Sequence, residues 1–200
     1  MHTVDIHPSL MKSVRVAATA LVASIVLFAD LARADDLEEK SAPIMARAVA
    51  YDYNLKARAG GDLVVGILYK PGDASSEATA DRWLAAFAKL SGVKLQGLPL
   101  SAKKLAYTSG AQLGSEGQAQ SLDIVLVGDG VDGDVATISR VAQERQWLTI
   151  GTRERHVRQG LALAVFNEGG RNVISVNLPA CEKQGVNFAS DLLRLARVLR

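Results

Sequence analysis

The sequence is poor in the side chains that build metal and redox centres, with one cysteine and three histidines in 200 residues. Cys181 has no second cysteine with which to form an intramolecular disulfide. His2 and His7 lie near the N-terminus, so His156 is the one imidazole of the remaining chain. Zinc sites usually take three or four such ligands, with carboxylates filling few of the positions. The sequence therefore predicts no metal site, and Cys181 is interpreted as a small buried hydrophobic residue.

An excess of one charge is also missing. The chain carries 23 basic and 21 acidic side chains, which gives a formal charge of +2. Proteins that bind nucleic acid or anionic membrane surfaces neutralise phosphates with clustered Lys and Arg. A nearly balanced chain offers no such electrostatic attraction, so the sequence predicts no nucleic-acid partner.

No motif assembles a catalytic nucleophile. The stretch LGSEG around Ser115 approaches the G-x-S-x-G turn of serine hydrolases, but Leu113 stands where the first glycine belongs. A catalytic triad would have to use His156, and no motif places a serine beside it. The sequence predicts no catalytic residue and a protein that is not an enzyme.

The N-terminal segment has the three parts of a secretory signal peptide. Lys12 and Arg15 form a positive start, an apolar run follows from Val16 to Ala29, and Ala32-Arg33-Ala34 offers small residues for cleavage. The run is shorter than the roughly 20 apolar residues of a spanning helix. We therefore expect a signal peptide over residues 1–34, cleaved near Ala34, and a periplasmic protein that does not itself span the membrane. Met11 directly precedes this signal and offers a second possible start.

Residues 35–200 alternate between strand and helix patterns. Short apolar, β-branched runs at 63–70, 123–127 and 147–151 are typical of strands buried on both faces, and amphipathic helical patterns separate them. Two extended runs joined around Asn167-Glu168-Gly169-Gly170 predict a β-hairpin. The pattern favours a single three-layer α/β domain, with a mixed, mostly parallel sheet flanked by helices and a C-terminal β-hairpin and docking helix.

Three other segments carry weaker expectations. A helix capped by Ser41 is expected to run to about Arg58. Residues 93–98 and 104–108 look like strands, and the Gly/Ser/Gln stretch 109–121 is expected to be a loop or a weak helix. The last residues are expected to form a helix to the C-terminus. Its apolar side would consist of Phe188, Leu192, Leu195, Ala196 and Leu199, and its outer side of Ser190, Arg194 and Arg197.

A glycine motif follows the second of these strands. Gly128-Asp129-Gly130-Val131-Asp132-Gly133 fits G-x-G-x-x-G, which in dinucleotide-binding proteins brings a helix N-terminus to a pyrophosphate. Asp129, Asp132 and Asp134 would repel that group, and the strand that follows lacks an acidic residue to hold a ribose. The motif is interpreted as a tight turn, and the sequence predicts no cofactor.

The basic run TRERHVRQG (152–160) follows the third strand, at the sheet edge where open α/β sheets keep their ligand crevice. It favours a contact with an anion or a partner protein, and His156 would make that contact sensitive to pH. A solvated charged loop explains the same composition equally well. The candidate contact residues at the strand ends are Lys70, Asp73, Asp129, Arg153, His156 and Arg158.

From about Ala46 to Arg200 the chain resembles the YfiR-like family of periplasmic proteins, named for a repressor of a membrane-bound diguanylate cyclase. The similarity is most specific in QGLALAVFNEGGRNVISVNLPACEKQGVNFASDLLRLARVL, and VVGILYKPG, DIVLVGDG and WLTIG resemble the family's strands. The resemblance implies a non-catalytic regulator in cyclic-di-GMP signalling. Such a protein binds the periplasmic domain of an inner-membrane signalling protein, often as a homodimer. The family's best-known repressor has paired disulfides that this chain cannot form, so the resemblance does not extend to redox control.

A different function class is also compatible with these patterns. A small-molecule carrier, built as a truncated solute-binding domain, would use the glycine-bearing strand ends as a ligand crevice. A carrier would bind one small ligand and need no partner protein.

Overall fold

The computed structural model describes residues 37–200, and the predicted signal peptide lies outside them. Within the described residues, eight strands form one sheet in the order β2-β3-β1-β4-β5-β6-β7-β8. The strands are β1 (Leu63–Tyr69), β2 (Lys94–Leu95), β3 (Leu98–Ala106), β4 (Ile124–Val127), β5 (Leu148–Gly151), β6 (Leu163–Glu168), β7 (Arg171–Asn177) and β8 (Arg197–Leu199). The helices are α1 (residues 37–49), α2 (Leu55–Arg58), α3 (Ala74–Ala88), α4 (Gly110–Ala119), α5 (Val135–Arg145), α6 (Glu154–Arg158), α7 (Leu178–Lys183) and α8 (Ser190–Leu195).

The centre of the sheet is parallel, from β3 through β1, β4 and β5 to β6. The β2–β3 and β6–β7 pairs are antiparallel, and β8 runs parallel to β7 at the far edge. The predicted α/β class, the mostly parallel mixed sheet and the C-terminal hairpin are confirmed. None of the described helices is both long enough and apolar enough to cross a membrane.

Helices cover both faces of the sheet, as the continuous apolar runs of its central strands require. On one face, Val65 and Ile67 of β1 belong to a core with Met45 of α1 and Trp83 and Phe87 of α3. On the other face lies a second core. It combines Val64 and Leu68 of β1 with Leu113 of α4, Ile138 of α5 and Trp147. Alternate residues of one strand therefore enter two different cores, which gives the three layers.

Helix α4 lies where a loop or a weak helix was expected. Ser109 caps it by accepting a hydrogen bond from the backbone N–H of Gln112 at 3.2 Å. Two of its glycines lie very close to α5 and to Trp147, which precedes β5. A Cβ on Gly110 would lie 2.7 Å from Cγ2 of Thr137, and one on Gly117 would lie 2.4 Å from Cη2 of Trp147. The glycines that weaken the helix in the sequence pattern are the residues that let it pack.

The strands at the β2 edge of the sheet differ from the expected ranges. β2 is a two-residue strand, and β3 is one continuous strand from Leu98, where the pattern indicated strand only at 93–98 and 104–108. The tight turn between them uses Gln96 and Gly97, both with positive φ. Pairing with β1 over Leu100–Ala106 explains the length of β3, because that contact is not visible in the local sequence.

The first helical region is interrupted. A helix from Ser41 to Arg58 was expected, but α1 already includes residue 37, Ser41 is buried within it, and α2 begins only at Leu55. The break places the wholly buried carboxylate of Asp52 between the two helices. Its oxygens accept hydrogen bonds from the backbone N–H groups of Asn54 and Asn187 and from Nη2 of Arg58, at 3.0, 2.9 and 2.7 Å. Asp52 therefore joins the beginning of the described chain to its end.

The C-terminal helix is shorter than expected. α8 ends at Leu195, whose side chain is 74% exposed, and Ala196 is extended. Residues 197–199 then pair with β7 as β8, and Arg197 forms an ion pair with Glu168 across the hairpin. The prediction of a helix to the C-terminus was therefore wrong after Leu195. The open edge of β7 offers backbone hydrogen bonds, and residues 197–199 pair with it as a strand instead.

We expect Asp52→Ala to lower the free energy of unfolding by about 3–5 kcal/mol, because it leaves the Arg58 guanidinium and two backbone N–H groups buried without an acceptor. Urea denaturation measures the loss. The matched control is Glu144→Ala, which removes the exposed pair with Arg140 and should change the value by about 0.5 kcal/mol or less. Equal losses in the two variants would contradict the role of Asp52.

Two alanine substitutions in α4 should have opposite signs. Gly117→Ala forces a Cβ against the Trp147 ring. Alanine favours the helix by about 1 kcal/mol over glycine, but the clash should still lower the free energy of unfolding by a net ~1–2 kcal/mol. Gly114→Ala meets nothing closer than 3.6 Å and should keep most of that gain. Thermal unfolding distinguishes them, and a stabilised Gly117→Ala would show that α4 does not pack as described.

Candidate functional site at the carboxyl ends of the parallel strands

Three charged segments meet at one edge of the sheet. β1, β4 and β5 are parallel neighbours, so their carboxyl ends lie side by side. The segments that leave these ends are residues 70–73, 128–134 and 152–158, which we name the strand-end rim. The first leads into α3, the second into α5, and the third forms α6. All six candidate residues from the sequence lie in this rim.

Ser76 joins the first two segments of the rim. Its hydroxyl accepts a hydrogen bond from the backbone N–H of Lys70 at 2.9 Å and donates one to the carbonyl of Asp129 at 2.8 Å. Gly130 has a φ of +89°, and a Cβ there would lie 2.6 Å from Cβ of Ser76. The G-x-G-x-x-G turn thus owes this glycine to close packing against α3, which needs no bound phosphate.

Two carboxylates of the second segment hold three basic side chains of the third. Oδ1 of Asp129 accepts hydrogen bonds from Nη2 and Nε of Arg153, at 2.5 and 3.1 Å. Oδ1 of Asp132 lies 2.6 Å from Nη2 of Arg155 and 2.7 Å from Nε2 of His156. Nε of Arg153 is also 3.7 Å from the same oxygen. The acidic turn and α6 are therefore joined by one network.

His156 lies at the interior end of this network. Its side chain is fully buried, and its ring packs on Gly151, where a Cβ would lie 2.6 Å from Cβ of His156. Any larger residue at position 151 would displace the ring. A direct contact between the imidazole and a partner, as the sequence pattern suggested, is therefore not available in this conformation.

The electrostatics of the pair follow from burial and charge. Burial lowers the pKa of His156 below its ordinary value, against the opposing effect of Asp132. Burial would raise the pKa of Asp132, but its hydrogen bonds from His156 and Arg155 outweigh that effect and hold it below the usual range. The hydrogen bond from Arg153 to Asp129 raises the pKa of the guanidinium. Asp132 is thus an anion beside a neutral imidazole near pH 7.

The other candidates lie around this network. Lys70 is exposed, and Asp73 caps α3 by accepting hydrogen bonds from the N–H groups of Ser75 and Ser76, both at 3.1 Å. Arg158 is exposed and pairs with Glu154 on the same helix at 2.9 Å. The structure therefore brings Asp129, Arg153 and His156 into one cluster, and leaves Lys70 and Arg158 outside it.

The candidate residues named from the sequence leave out three members of the site: Ser76, Asp132 and Arg155, although Arg155 lies within the predicted basic run. Asp132 was interpreted only as part of a tight turn, and no local signal marks Ser76. One signal could have found Asp132 and Arg155. An acidic turn after one buried strand and a basic run after the next predict opposite charges at neighbouring strand ends.

Cys181 lies outside the rim and is 2% exposed. Burial, with a smaller effect of the Asp52 carboxylate, raises the pKa of its thiol to about 12. Its Sγ lies 3.5 Å from the carbonyl oxygen of Ala162. A thiol with these properties is a packing residue, because the thiolate is the reactive form.

A family model described as YfiR/HmsC-like matches residues 78–197, which is more than half of the chain. The chain belongs to the YfiR/HmsC-like family. The matched region runs from α3 into β8 and includes the acidic turn and α6 of the rim. Membership supports a regulatory role in the periplasm. The resemblance seen in the sequence is therefore confirmed. No curated protein matches the sequence.

Solved structures share the fold of this YfiR/HmsC-like protein at low identity. A conserved domain protein from Vibrio cholerae is 14% identical with a TM-score of 0.59, over 82% of this chain and 60% of that one. An ABC domain in complex with L-Trp from Streptococcus pneumoniae is 13% identical with a TM-score of 0.53, over 76% and 60%. CD0873, a substrate binding protein with adhesive properties from Clostridium difficile, is 14% identical with a TM-score of 0.55, over 74% and 57%. The chain thus spans about 60% of the length of these structures.

We expect native Cys181 to resist Ellman's reagent and to react fully once urea unfolds the protein, because the buried thiol carries almost no thiolate near neutral pH. A positive control is Ser190→Cys in a Cys181→Ser background, which places a thiol at an exposed position. Cys181→Ser itself should leave the function of the protein intact. Rapid labelling of native Cys181, or a loss of function in the serine variant, would restore a reactive role.

Proposed function

We propose that the protein is a non-catalytic periplasmic regulator that binds the periplasmic domain of an inner-membrane signalling protein, such as a diguanylate cyclase, through the strand-end rim. In this proposal residues 1–34 direct export and are cleaved near Ala34, and residues 35–200 act as one domain. A homodimer is part of the same hypothesis, since the family resemblance implies one. Membership of the YfiR/HmsC-like family supports the regulatory role.

One observation supports the choice of this surface. The charged side chains of the rim are held in place by ion pairs with each other, yet they remain accessible to solvent. The side chains of Arg153 and Asp129 are 43% and 44% exposed although they pair with each other, and Arg155 is 52% exposed while bound to Asp132. A partner with complementary charge meets groups whose positions are already determined, which reduces the entropy lost on binding. Such surfaces supply specificity and fast association.

The alternative is a periplasmic carrier of a small ligand. The fold likeness to a substrate binding protein keeps this hypothesis open, although likeness at 14% identity concerns the fold alone. The packing of the strand-end glycines favours the regulator. Gly130 lies against Ser76 and Gly151 against His156, so two glycines that would line a crevice are covered by side chains.

A charge exchange tests the rim. Asp129→Arg combined with Arg153→Asp keeps an ion pair at the same place but reverses the charge that each position presents. Purification of the tagged full chain from crosslinked cells should capture an inner-membrane protein with a periplasmic domain. We expect the exchange to reduce that capture at least about tenfold, which corresponds to ~1.4 kcal/mol.

The matched control is the exchange Arg140→Glu with Glu144→Arg, another exposed pair, which lies on α5 outside the rim. It should capture as much partner as the unmodified chain. Equal capture by both exchanges would remove the rim from the contact. A large thermal shift with one amino acid, sugar or nucleotide, together with no captured membrane protein, would favour the carrier instead.

A further inference from the structure

The buried imidazole of His156 has a free nitrogen that can take up a proton, but its surroundings offer no acceptor for the resulting N–H group among the described residues. Asp132 is an anion and can only accept, so Nε2 of His156 carries the ring proton in their 2.7 Å hydrogen bond. Nδ1 is then a bare acceptor, and it is buried without a hydrogen-bond partner among the described residues. Protonation of Nδ1 would create a positive charge and a second N–H donor at a place where no acceptor meets it.

The charged groups around the ring do not offset that change. Asp132 faces it from the acidic turn, but its Oδ1 already accepts from Arg155 at 2.6 Å. The guanidinium groups of Arg155, on α6, and of Arg153, directly before it, act against a positive charge on the ring. The neighbour from β5 is Gly151, which brings no charge. The carboxylate of Asp129 pairs with Arg153.

From this geometry we propose that α6 and the turn 128–134 form an acid-released clasp: a proton from solvent on Nδ1 of His156 expels the ring from its site, separates α6 from Asp132, and so changes the rim. The consequence for partner binding rests on the function proposed above, whereas the clasp itself does not. Acidification would then alter the surface that the signalling protein contacts.

The direction of the effect follows from linkage. Burial lowers the pKa of His156 below its ordinary value of 6.5, so the open state binds more protons than the closed state in the interval between the two values. The stability that the neutral ring contributes is complete above pH 6.5 and is lost as the pH falls towards the lowered value. In that interval the closed-to-open ratio should fall up to about tenfold for each pH unit.

The clasp can be tested on the full chain without any partner. An NMR titration follows the His156 imidazole, identified by comparison with His156→Gln. Its midpoint should lie below 6.5. Hydrogen exchange, expressed as protection factors, follows two amides of the clasp. The Leu161 N–H donates to the carbonyl of His156, and that of Gln159 to the carbonyl of Arg155. From about pH 7.5 to about pH 5 their protection should fall, while β4 amides keep theirs.

Two variants separate the imidazole from general acid effects. His156→Gln retains an N–H that can reach Asp132 and cannot take a second proton, so its amide protection should not respond to acid. Arg158→Gln removes an exposed pair of the same helix and should retain the acid response. The titration of the unmodified chain needs no variant, so the test holds even if His156→Gln folds poorly.

Any one of three results would overturn the clasp. The imidazole titrates with a midpoint at or above pH 6.5, the amides of Leu161 and Gln159 keep their protection at low pH, or His156→Gln responds to acid as strongly as the unmodified chain. Partner capture at the two pH values is read separately. Lower capture at about pH 5 in the unmodified chain but not in His156→Gln would support the regulatory link. Equal capture at both pH values, with a clasp that opens, would overturn that link alone.

Discussion

The parallel pairing of β1, β4 and β5 determines where the charged segments of this protein meet. Each strand is buried on both faces, so the register of its neighbours is determined by core packing. Parallel strands place every outgoing segment at the same edge, and the segments after β4 and β5 carry opposite charges. The network of Asp129, Asp132, Arg153, Arg155 and His156 is thus a consequence of the sheet order. A change that slipped β5 against β4 by one residue would turn its side chains to the opposite faces and separate the carboxylates from α6.

A buried carboxylate performs the corresponding task at the other end of the domain. Asp52 interrupts the helical start of the described chain and binds Arg58 together with the backbone before Phe188. Nη1 of Arg58 donates to the carbonyl of Gln146, at the end of α5, over 3.0 Å. A charge pair of this kind gains little over a well-packed apolar set, but removal of one partner leaves the other buried and unpaired. The pair of Asp52 and Arg58 therefore constrains which segments pack together, and it holds the C-terminal segment against the first helices.

The central strands and the hairpin could be predicted from the sequence, because apolar β-branched runs and the Asn167–Gly170 turn are local signals. What could not be predicted depends on distant contacts. The α4 stretch looked too rich in glycine for more than a loop or a weak helix, yet two of its glycines pack closely against Thr137 and Trp147. Residues 197–199 continued the predicted helical stripe, but the free edge of β7 pairs with them as strand β8. In the rim, the location of the charged segments followed from strand order. The burial of His156 could not be predicted, because it depends on Gly151 at the end of β5 and on Asp132 in the turn after β4.

The charges of the rim also determine what kind of contact this surface can make. A large apolar contact would bind tightly and depend little on conditions, whereas a surface of ordered ion pairs depends on charge and on the position of the segments that carry it. Here one oxygen of Asp132 is shared between an exposed guanidinium and a buried imidazole. A change in the buried group therefore reaches the exposed one through a single atom. Surface and interior therefore meet at that oxygen, and β5, which leads into α6, is buried on both faces.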